Sequence, residues 1–355
     1  MTNFLLAGGG TAGHVNPLLA LADAITEDDS SHRVWALGTR EGLESTLVPS
    51  RGYNLLTIER LPFPRKPSAY ALTFPFRFRR AIRQVKRYLV ENRIDVVVGF
   101  GGYASAPAYL AAKRLGVPVV VHEANALPGW ANKLGAKSAK AIGVAFASTP
   151  IAGATFVGMP LRREIELLAD QVDRETARIH FGLDPDTVTL LVTGGSLGAK
   201  RINETIDSSR KVLSAAGIQV LHIMGGRSEL PEVHDKDYVR IAYCDRMDLA
   251  IAASNFAVSR AGSSTVSEFA AVGLPAAYVP YPVGNGEQKL NVRDLVDAGG
   301  GVLVLDAEFS ADYVSNQLVP LVSNSRAIAE MSAKARKSGV ADGCTRLLNL
   351  VKGVL

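Results

Sequence analysis

The sequence Ser259-Arg-Ala-Gly-Ser-Ser-Thr-Val-Ser-Glu-Phe-Ala-Ala-Val-Gly-Leu-Pro275 decides the fold. It predicts the end of a strand, a glycine turn, a helix from about Ser264 and a Gly-Leu-Pro stop. A second strand and a glycine-rich loop then lead to Gln288. A helix that begins in small residues directs unpaired backbone N–H groups into the space beyond the strands, where no bulky side chain blocks a ligand. The stretch therefore predicts an α/β fold with a site for an anion such as a diphosphate.

Glu268 has two interpretations on this stretch alone. We expect it on the first turn of the helix, where its carboxylate could accept hydrogen bonds from the vicinal hydroxyls of a ribose. Alternatively, Thr265 and Glu268 form a capping box that only satisfies the helix end. The stretch does not separate the two interpretations, so the rest of the chain has to decide.

Composition indicates a globular protein of two domains. The chain has 355 residues, of which 47% are hydrophobic and 21% charged, with a net charge of +5. Its two cysteines, Cys244 and Cys344, have neither metal-ligand spacing nor a framework of pairs, which favours a reducing cytoplasm. The first residues do not resemble a signal peptide, and no run of about twenty apolar residues occurs. We therefore expect any membrane contact to be peripheral.

The N-terminal strand runs into a glycine turn. Phe4–Ala7 is followed by Gly8-Gly-Gly-Thr-Ala-Gly-His14 and then by a helix. The spacing satisfies a dinucleotide fingerprint, which keeps a nicotinamide-dependent oxidoreductase as an alternative. That fingerprint also needs an acid after the second strand, where this chain has Gly38-Thr39-Arg40. His14 lies at the helix N-terminus, whose dipole favours a neutral imidazole able to accept a proton; a purely structural role is the alternative.

The strand-turn-helix pattern occurs twice. A buried strand ends at His122-Glu-Ala-Asn125, which places Asn125 at the edge of the sheet where open α/β sheets bind ligands. The pattern loosens near residue 158, and residues 187–200 then repeat the first strand, turn and helix. We expect two facing Rossmann-like domains, residues 1–158 and 159–337, with a cleft between them. The last helix, about 338–355, is expected to return to the first domain.

Two further patterns have alternative interpretations. Gly194–Gly198 matches the G-x-S-x-G elbow of hydrolases, with Ser196 as nucleophile, but that arrangement needs a later His and none follows His234. The triplets Asp184-Pro-Asp and Asp235-Lys-Asp could indicate a metal-held nucleotide sugar. The first precedes its strand and so lies at the opposite edge from the glycine turns, which favours turn residues. We therefore predict no metal site.

Residues 61–90 contain no acidic residue. Phe78, Ile82, Val85 and Leu89 form one apolar helical stripe, and the basic residues between positions 77 and 87 form what we call the basic face. With the aromatic rings of Phe74 and Phe76, this face suits an anionic lipid surface. A nucleic acid is the rival partner, but no recognition module supports it, and an ordinary solvated face remains the third alternative. The basic face comprises Arg77, Arg79, Arg80, Arg83, Lys86 and Arg87.

Several motifs, in order along almost the whole chain, resemble the MurG family of bacterial glycosyltransferases. They are Gly9–Pro17, Gly99–Pro107, His122–Asn125, Gly194–Ala199 and Ser259–Gln288. The resemblance implies a GT-B fold and inverting transfer of N-acetylglucosamine (GlcNAc) from UDP-GlcNAc to the C4 hydroxyl of MurNAc in undecaprenyl-linked lipid I, forming lipid II for peptidoglycan. It further implies no cofactor or catalytic metal, peripheral attachment to the cytoplasmic face of the membrane, and cell-wall and division proteins as candidate partners.

The resemblance also assigns roles to residues. His14 is the candidate general base. Thr11, Ala12, Gly13 and Asn125 match contacts near the donor sugar and phosphates, Arg162 and Ser196 match groups at the diphosphate and nucleoside, and Cys244 matches the backbone partner of uracil. Glu268 matches the ribose ligand, and Gln288 matches a sugar-hydroxyl ligand. The helix start under the diphosphate comprises Ser263, Ser264, Thr265, Val266 and Ser267. Met159 and Leu197 depart from the family pattern, which leaves details of the sugar contacts open.

Overall fold

The computed structural model describes residues 1–64, 66–195 and 198–355, which form two compact units. The first unit comprises Met1–Arg162 together with Asp342–Leu355, and the second comprises Arg163–Ala341. The sequence places the domain boundaries after residue 158 and near residue 338. In the structure the chain passes from one unit to the other a few residues later, after Arg162 and after Ala341.

The first unit contains a seven-stranded parallel sheet in the order β3-β2-β1-β4-β5-β6-β7. Strands such as β4 are continuous buried apolar runs, as expected when helices cover both faces of a sheet. The order reverses between β1 and β4, and ligands bind at such a switch point in open α/β sheets. The strands are β1 Asn3–Ala7, β2 Arg33–Thr39, β3 Asn54–Ile58, β4 Val96–Gly99, β5 Val119–Glu123, β6 Ala141–Val144 and β7 Thr155–Phe156.

In the described part of this unit, five helices connect the strands. The buried side chains of the third helix are Ala81, Ile82, Val85 and Leu89, and Phe78 packs against the same core, which confirms the predicted apolar stripe. The helix begins nine residues before Phe78, at Ala69, so Phe74, Pro75 and Phe76 are helical. The helices are α1 Ala12–Asp28, α2 Glu44–Ser50, α3 Ala69–Glu91, α4 Gly102–Leu115 and α5 Trp130–Ala136.

The second unit has a similar strand order around its own switch point, between β8 and β12, with the hairpin strand β10 added at one edge. Its sheet runs β10-β11-β9-β8-β12-β13-β14, and all its pairs are parallel except the hairpin β10–β11 at one edge. The strands are β8 Val188–Thr193, β9 Ile218–Ile223, β10 Val233–Asp235, β11 Tyr238–Ile241, β12 Phe256–Ser259, β13 Ala276–Tyr278 and β14 Gly301–Leu303.

Helices cover this second sheet as well, and a π-helical turn at Val314–Leu318 joins two of them. Together with the first sheet, this arrangement confirms the predicted α/β fold of two Rossmann-like domains. The helices are α6 Arg163–Asp170, α7 Arg174–His180, α8 Lys200–Ser208, α9 Arg210–Ala215, α10 Met247–Ala252, α11 Ser263–Val272, α12 Glu287–Asp297, α13 Ala311–Tyr313, α14 Val319–Val322 and α15 Ser325–Ser338.

The last helix, α16 Gly343–Lys352, belongs to the first unit. Its buried face includes Leu347 and Val351, which join the core cluster that α1 contributes to. Cys344 donates its thiol hydrogen to the carbonyl oxygen of Leu161, at 3.2 Å. Within the described ranges, no helix is both long enough and apolar enough to span a bilayer.

Candidate functional site

The first group of site residues lies at the switch point of the first unit, where the loops after β1 and β4 meet. Gly10 has a φ of 89°, which glycine adopts without steric cost. Thr11 is the N-cap of α1, and its side chain makes no capping hydrogen bond. The backbone N–H groups of Ala12 and Gly13 belong to the first turn, so they have no acceptor within the helix. This helix start is therefore available to a phosphate or a sugar oxygen.

His14 is the third residue of α1 and is half-buried. Its Nδ1 lies 3.1 Å from the carbonyl oxygen of Gly9 and 3.3 Å from the hydroxyl of Thr11. Because a carbonyl oxygen can only accept, Nδ1 is the donor, and in the tautomer that this bond selects the lone pair lies on Nε2. No residue in the described ranges forms a hydrogen bond with Nε2. The Gly9 carbonyl thus holds Nδ1 as the donor of His14 and leaves Nε2 as the ring nitrogen available to a substrate.

The loop after β4 lies directly at this imidazole. Gly101 has a φ of 93°, and a Cβ added there would lie 3.2 Å from Nε2 of His14 and 3.4 Å from the amide nitrogen of Asn132. Asn132 is buried and donates to a carboxylate oxygen of Glu123 at 2.9 Å and to the carbonyl oxygen of His122 at 3.1 Å. Sequence reasoning missed Asn132, because nothing in the local pattern around Trp130 marks a polar residue that returns to β5.

Glu123 fixes the loop that carries Asn125. It is buried at the end of β5 and accepts hydrogen bonds from the backbone N–H groups of Asn125, at 2.9 Å, and Gly129, at 3.0 Å. Asn125 also accepts, through its carbonyl oxygen, the hydroxyl of Thr149 at 3.2 Å. Asn125 therefore lies at the carboxyl edge of the sheet, where the sequence places it.

His122 has a structural role. Burial lowers the pKa of its imidazole to about 4, so the ring is neutral at pH 7. Its Nε2–H donates to the carbonyl oxygen of Gly158 at 3.0 Å. This contact links β5 to the segment after β7.

The second group of site residues lies at the N-terminus of α11, at the switch point of the second unit. The N-cap is Gly262, and its carbonyl oxygen accepts the N–H of Val266 at 3.0 Å. The N–H groups of Ser263, Ser264 and Thr265 therefore have no acceptor within the helix. The Oγ of Ser264 is buried, and no group in the described ranges forms a hydrogen bond with it. These donors, together with the helix dipole, form a socket for an anion.

The helix start excludes one of the two interpretations of Glu268. Because α11 begins at Ser263, Glu268 is its sixth residue and lies on the second turn, so the expected position on the first turn was wrong. Thr265 is not the N-cap, and no side chain caps this helix, which excludes the capping box. Val266 is buried and packs inward, whereas Ser267 and Glu268 are half-buried.

Gln288 forms hydrogen bonds with the segments that precede α11 and α12. It lies in the first turn of α12, and its Oε1 accepts the backbone N–H groups of Tyr281, at 2.8 Å, and Ala261, at 3.3 Å. Arg260 stabilises the neighbouring segment after β13. It donates to Asp306 at 2.6 Å and to the carbonyl oxygen of Val279 at 3.0 Å. Arg260 was missed from the sequence, because both of its partners lie beyond the motif.

The remaining predicted donor contacts lie at loop positions. Arg162 is half-buried and is the last residue of the first unit. Cys244 is buried in the loop after β11, next to the exposed ring of Tyr243. Ser196 lies outside the described residues.

The basic face is confirmed as a helical surface but is not uniform. Arg79, Arg80, Arg83 and Arg87 are exposed, and Lys86 is half-buried. Arg77 forms an ion pair with Glu59 and lies over the ring of Tyr70. Phe74 is half-buried and stacks on Phe78 with ring centroids 5.5 Å apart.

Exposed apolar side chains lie beside the N-terminal part of the basic face. Phe76 is 71% exposed and Leu72 is 79% exposed, one helical turn before it. Phe63 and Trp130 are about half exposed, and their rings lie 4.8 Å apart. The sequence missed Leu72 and Trp130. Leu72 could have been found by extending the helix back to its N-cap, Ser68.

The acidic triplets lie away from the glycine turns. Asp184 accepts hydrogen bonds from the backbone N–H groups of Asp186, at 2.9 Å, and Thr187, at 3.0 Å, which confirms its role as a turn residue. In the part of the chain that the structure describes, no three His, Cys, Asp or Glu side chains come together as possible metal ligands.

Comparison with known proteins places the chain in a family. Residues 4–144 match the model of the glycosyltransferase family 28 N-terminal domain, and residues 189–347 match that of the family 28 C-terminal domain. A UDP-N-acetylglucosamine--N-acetylmuramyl-(pentapeptide) pyrophosphoryl-undecaprenol N-acetylglucosamine transferase of Clavibacter sepedonicus is 56% identical over 99% of this chain and 96% of its own length. The enzyme of the same name from Leifsonia xyli subsp. xyli is 55% identical over 99% of this chain and 98% of its own.

A solved structure agrees with these relatives. The crystal structure of Acinetobacter baumannii MurG is 26% identical to this chain, with a TM-score of 0.80, and the match covers 99% of this chain and 100% of that one. The resemblance drawn from the motifs is thus confirmed over the full length. The chain belongs to the MurG family of N-acetylglucosamine transferases, within glycosyltransferase family 28.

Proposed function

We propose that this chain transfers GlcNAc from UDP-GlcNAc to the muramyl sugar of undecaprenyl-pyrophosphoryl-MurNAc-pentapeptide, which is lipid I. The observation that carries the proposal is the 56% identity, over 99% of the chain, to a relative whose name states this donor and this acceptor. An anion socket at α11 and an available imidazole at α1 supply groups that such a reaction needs.

The chemistry is a single displacement. The C4 hydroxyl of MurNAc attacks the anomeric carbon of GlcNAc, the bond from that carbon to the UDP oxygen breaks, and the configuration inverts from α to β. Nε2 of His14 accepts the hydroxyl proton, and the bond from Nδ1–H to Gly9 stabilises the imidazolium that forms. The products are lipid II and UDP.

The leaving UDP needs stabilisation of the negative charge that develops on its β-phosphate. The first N–H groups of α11 and the hydroxyl of Ser264 provide fixed dipoles for it, and we assign Arg162 and Ser196 to the same diphosphate. These groups would allow a reaction that needs no bound metal. Full activity in excess chelator is the expected result, and activity lost to the chelator and restored by magnesium would contradict it.

We assign the other donor contacts by position. Glu268 binds the ribose hydroxyls, the backbone at Cys244 pairs with uracil, and Gln288 binds a sugar hydroxyl through the amide nitrogen that its loop contacts leave available. Thr11, Ala12, Gly13 and Asn125 bind the sugar and phosphates. Ser263, Thr265, Val266 and Ser267 complete the turn of helix under the diphosphate.

The acceptor is a lipid, and we propose that α3 holds the enzyme at the cytoplasmic face of the membrane. The exposed arginines of the basic face each contribute about 1 kcal/mol at an anionic surface, so four contribute about 4 kcal/mol. The exposed side chains of Leu72 and Phe76 continue the same face toward the N-terminus of the helix, where they can enter the headgroup region. No nucleic acid is part of this proposal.

The test is release of UDP from UDP-GlcNAc with and without a lipid I analogue, together with mass and anomeric analysis of the product. We expect release that depends on the acceptor and a β-linked GlcNAc product. A titration with NADH tests for a dinucleotide-dependent oxidoreductase, and sedimentation with vesicles tests for a non-enzymatic protein that binds the membrane surface. Tight NADH binding without transfer would indicate an oxidoreductase, and vesicle binding without any affinity for UDP would indicate a membrane adaptor.

A further inference from the structure

Glu44 is a buried carboxylate beside the first glycine turn. It begins α2 and is only 1% exposed. Its Oε1 accepts the backbone N–H of Thr39 at 2.7 Å and the Thr39 hydroxyl at 2.9 Å, and its Oε2 accepts the N–H of Gly10 at 2.8 Å. None of the described cations forms an ion pair with it. Because burying a carboxylate is costly unless hydrogen bonds replace its water, these three donors account for its stability in the fold.

Three glycines surround this carboxylate. A Cβ added at Gly9, Gly38 or Gly42 would overlap the side chain of Glu44. Only glycine at these positions allows the backbone to approach so closely. The turn that contains Gly9 and Gly10 therefore rests directly on Glu44.

One peptide group connects Glu44 to His14. The N–H of Gly10 and the carbonyl of Gly9 belong to the same planar trans peptide, so they point in opposite directions. The N–H end donates to Oε2 of Glu44 at 2.8 Å, and the carbonyl end accepts Nδ1–H of His14 at 3.1 Å. Glu44 thus sets the direction of the carbonyl that determines which nitrogen of His14 carries the proton.

The geometry points to Glu44 as a positioning residue for His14, acting through the Gly9–Gly10 peptide. A peptide between two glycines meets little steric resistance to rotation, and rotation would turn the Gly9 carbonyl away from the imidazole. The bond to a carboxylate opposes that rotation and polarises the peptide, which makes the Gly9 oxygen a stronger acceptor. The effect on catalysis rests on the proposed function, whereas the effect on the His14 tautomer does not.

The test replaces the carboxylate with an apolar side chain of similar length. Glu44→Met removes the acceptor of the Gly10 N–H, and we expect kcat to fall by at least about tenfold, because a general base contributes about 10²- to 10⁴-fold. The KM for UDP-GlcNAc should rise by a smaller factor than kcat falls, since α11 belongs to the other unit and only Thr11, Ala12 and Gly13 among the assigned donor contacts directly follow the altered turn. Glu44→Gln can turn its amide oxygen to Gly10 and should recover most of the lost kcat.

Nitrogen-15 NMR of histidine-labelled protein reads the tautomer without any substrate. The unaltered protein should show His14 with its proton on Nδ1, and Glu44→Met should show a mixture of tautomers. Thr39→Val is the matched control. It removes a donor from Oε1 and leaves Oε2 on Gly10, so it should lower the free energy of unfolding while keeping the His14 spectrum.

The results of these experiments distinguish the positioning role of Glu44 from the proposed function. If His14 in the unaltered protein carries its proton on Nε2, the proposal is overturned, and this result does not depend on whether Glu44→Met folds. A Glu44→Met protein with an unchanged spectrum and an unchanged kcat overturns it as well. If the tautomer changes as expected but the unaltered protein transfers no GlcNAc, the positioning role stands and the proposed function fails.

Discussion

Replacing Gly102 with alanine perturbs the Gly9 carbonyl from the side opposite Glu44. Gly102 begins α4 with a φ of 77°, and a Cβ there would lie 2.5 Å from the carbonyl oxygen of Gly9 and 3.2 Å from its nitrogen. A left-handed backbone costs an L-residue about 1–2 kcal/mol, and overpacking against fixed backbone adds about 1–3 kcal/mol. We expect Gly102→Ala to lower the free energy of unfolding by about 2–5 kcal/mol, the sum of the two costs.

Gly52→Ala provides the matched control for this prediction. Gly52 has a φ of 80°, and a Cβ there would meet no atom within 4 Å, so only the backbone cost of about 1–2 kcal/mol applies. Urea unfolding of both variants measures the difference. Because the clash displaces the acceptor of His14 Nδ1, Gly102→Ala should also lose more than about tenfold in kcat, while Gly52→Ala keeps its activity. Equal stability and equal activity of the two variants would refute the packing at Gly9.

Three further predictions follow from the site and its surroundings. Ser264→Ala should weaken UDP binding by about tenfold or more, because a hydrogen bond to a charged group contributes about 1.5–3 kcal/mol; calorimetry measures this, and Ser254→Ala, whose hydroxyl bonds to Ala250, should leave the Kd unchanged. Replacing both Arg80 and Arg83 with serine should weaken binding to anionic vesicles by about 30-fold, from about 1 kcal/mol per charge, and equal sedimentation of both proteins would argue against this surface. Burial lowers the folded-state pKa of His122 to about 4, below an unfolded value of about 6.5. The unfolded chain therefore binds more protons between these values, and stability falls on acidification through this window, by about 2 kcal/mol between pH 7 and pH 5. His122→Gln should remove this part of the pH dependence of urea unfolding, and an unchanged slope would mean that His122 is not the group responsible.

The fold could be predicted from local sequence patterns, because each pattern is compatible with few kinds of secondary structure. Buried runs such as Val96–Val98, each ending in a glycine turn and a helix, predict parallel sheets because only a parallel sheet covered on both faces needs such runs. The helix at Ser263 was placed within one residue, since a glycine turn and small residues mark its start. Counted from either start, Glu268 lies beyond the first turn of about 3.6 residues, so the expected first-turn position was a miscount along the helix and did not come from the helix boundary.

The supporting contacts of the site could not be predicted, because they join residues on different strands, loops and helices. Glu44 lies 34 positions from Gly10, and its local sequence is that of an ordinary acidic residue at the start of a helix. Asn132 returns to Glu123 from a helix with no polar pattern of its own. In both cases the hydrogen bond forms only when the two elements pack together. The sequence around one residue therefore does not indicate its partner.

The rate of GlcNAc transfer by His14→Ala tests the central claim, that an imidazole held by the Gly9 carbonyl takes the proton of the acceptor hydroxyl. The measurement uses UDP-GlcNAc and a lipid I analogue, with the Kd of UDP determined on the same preparation. We predict that kcat falls by about 10²- to 10⁴-fold, or about 3–5 kcal/mol in the barrier, while the Kd stays unchanged. Turnover close to that of the unaltered enzyme would contradict the account.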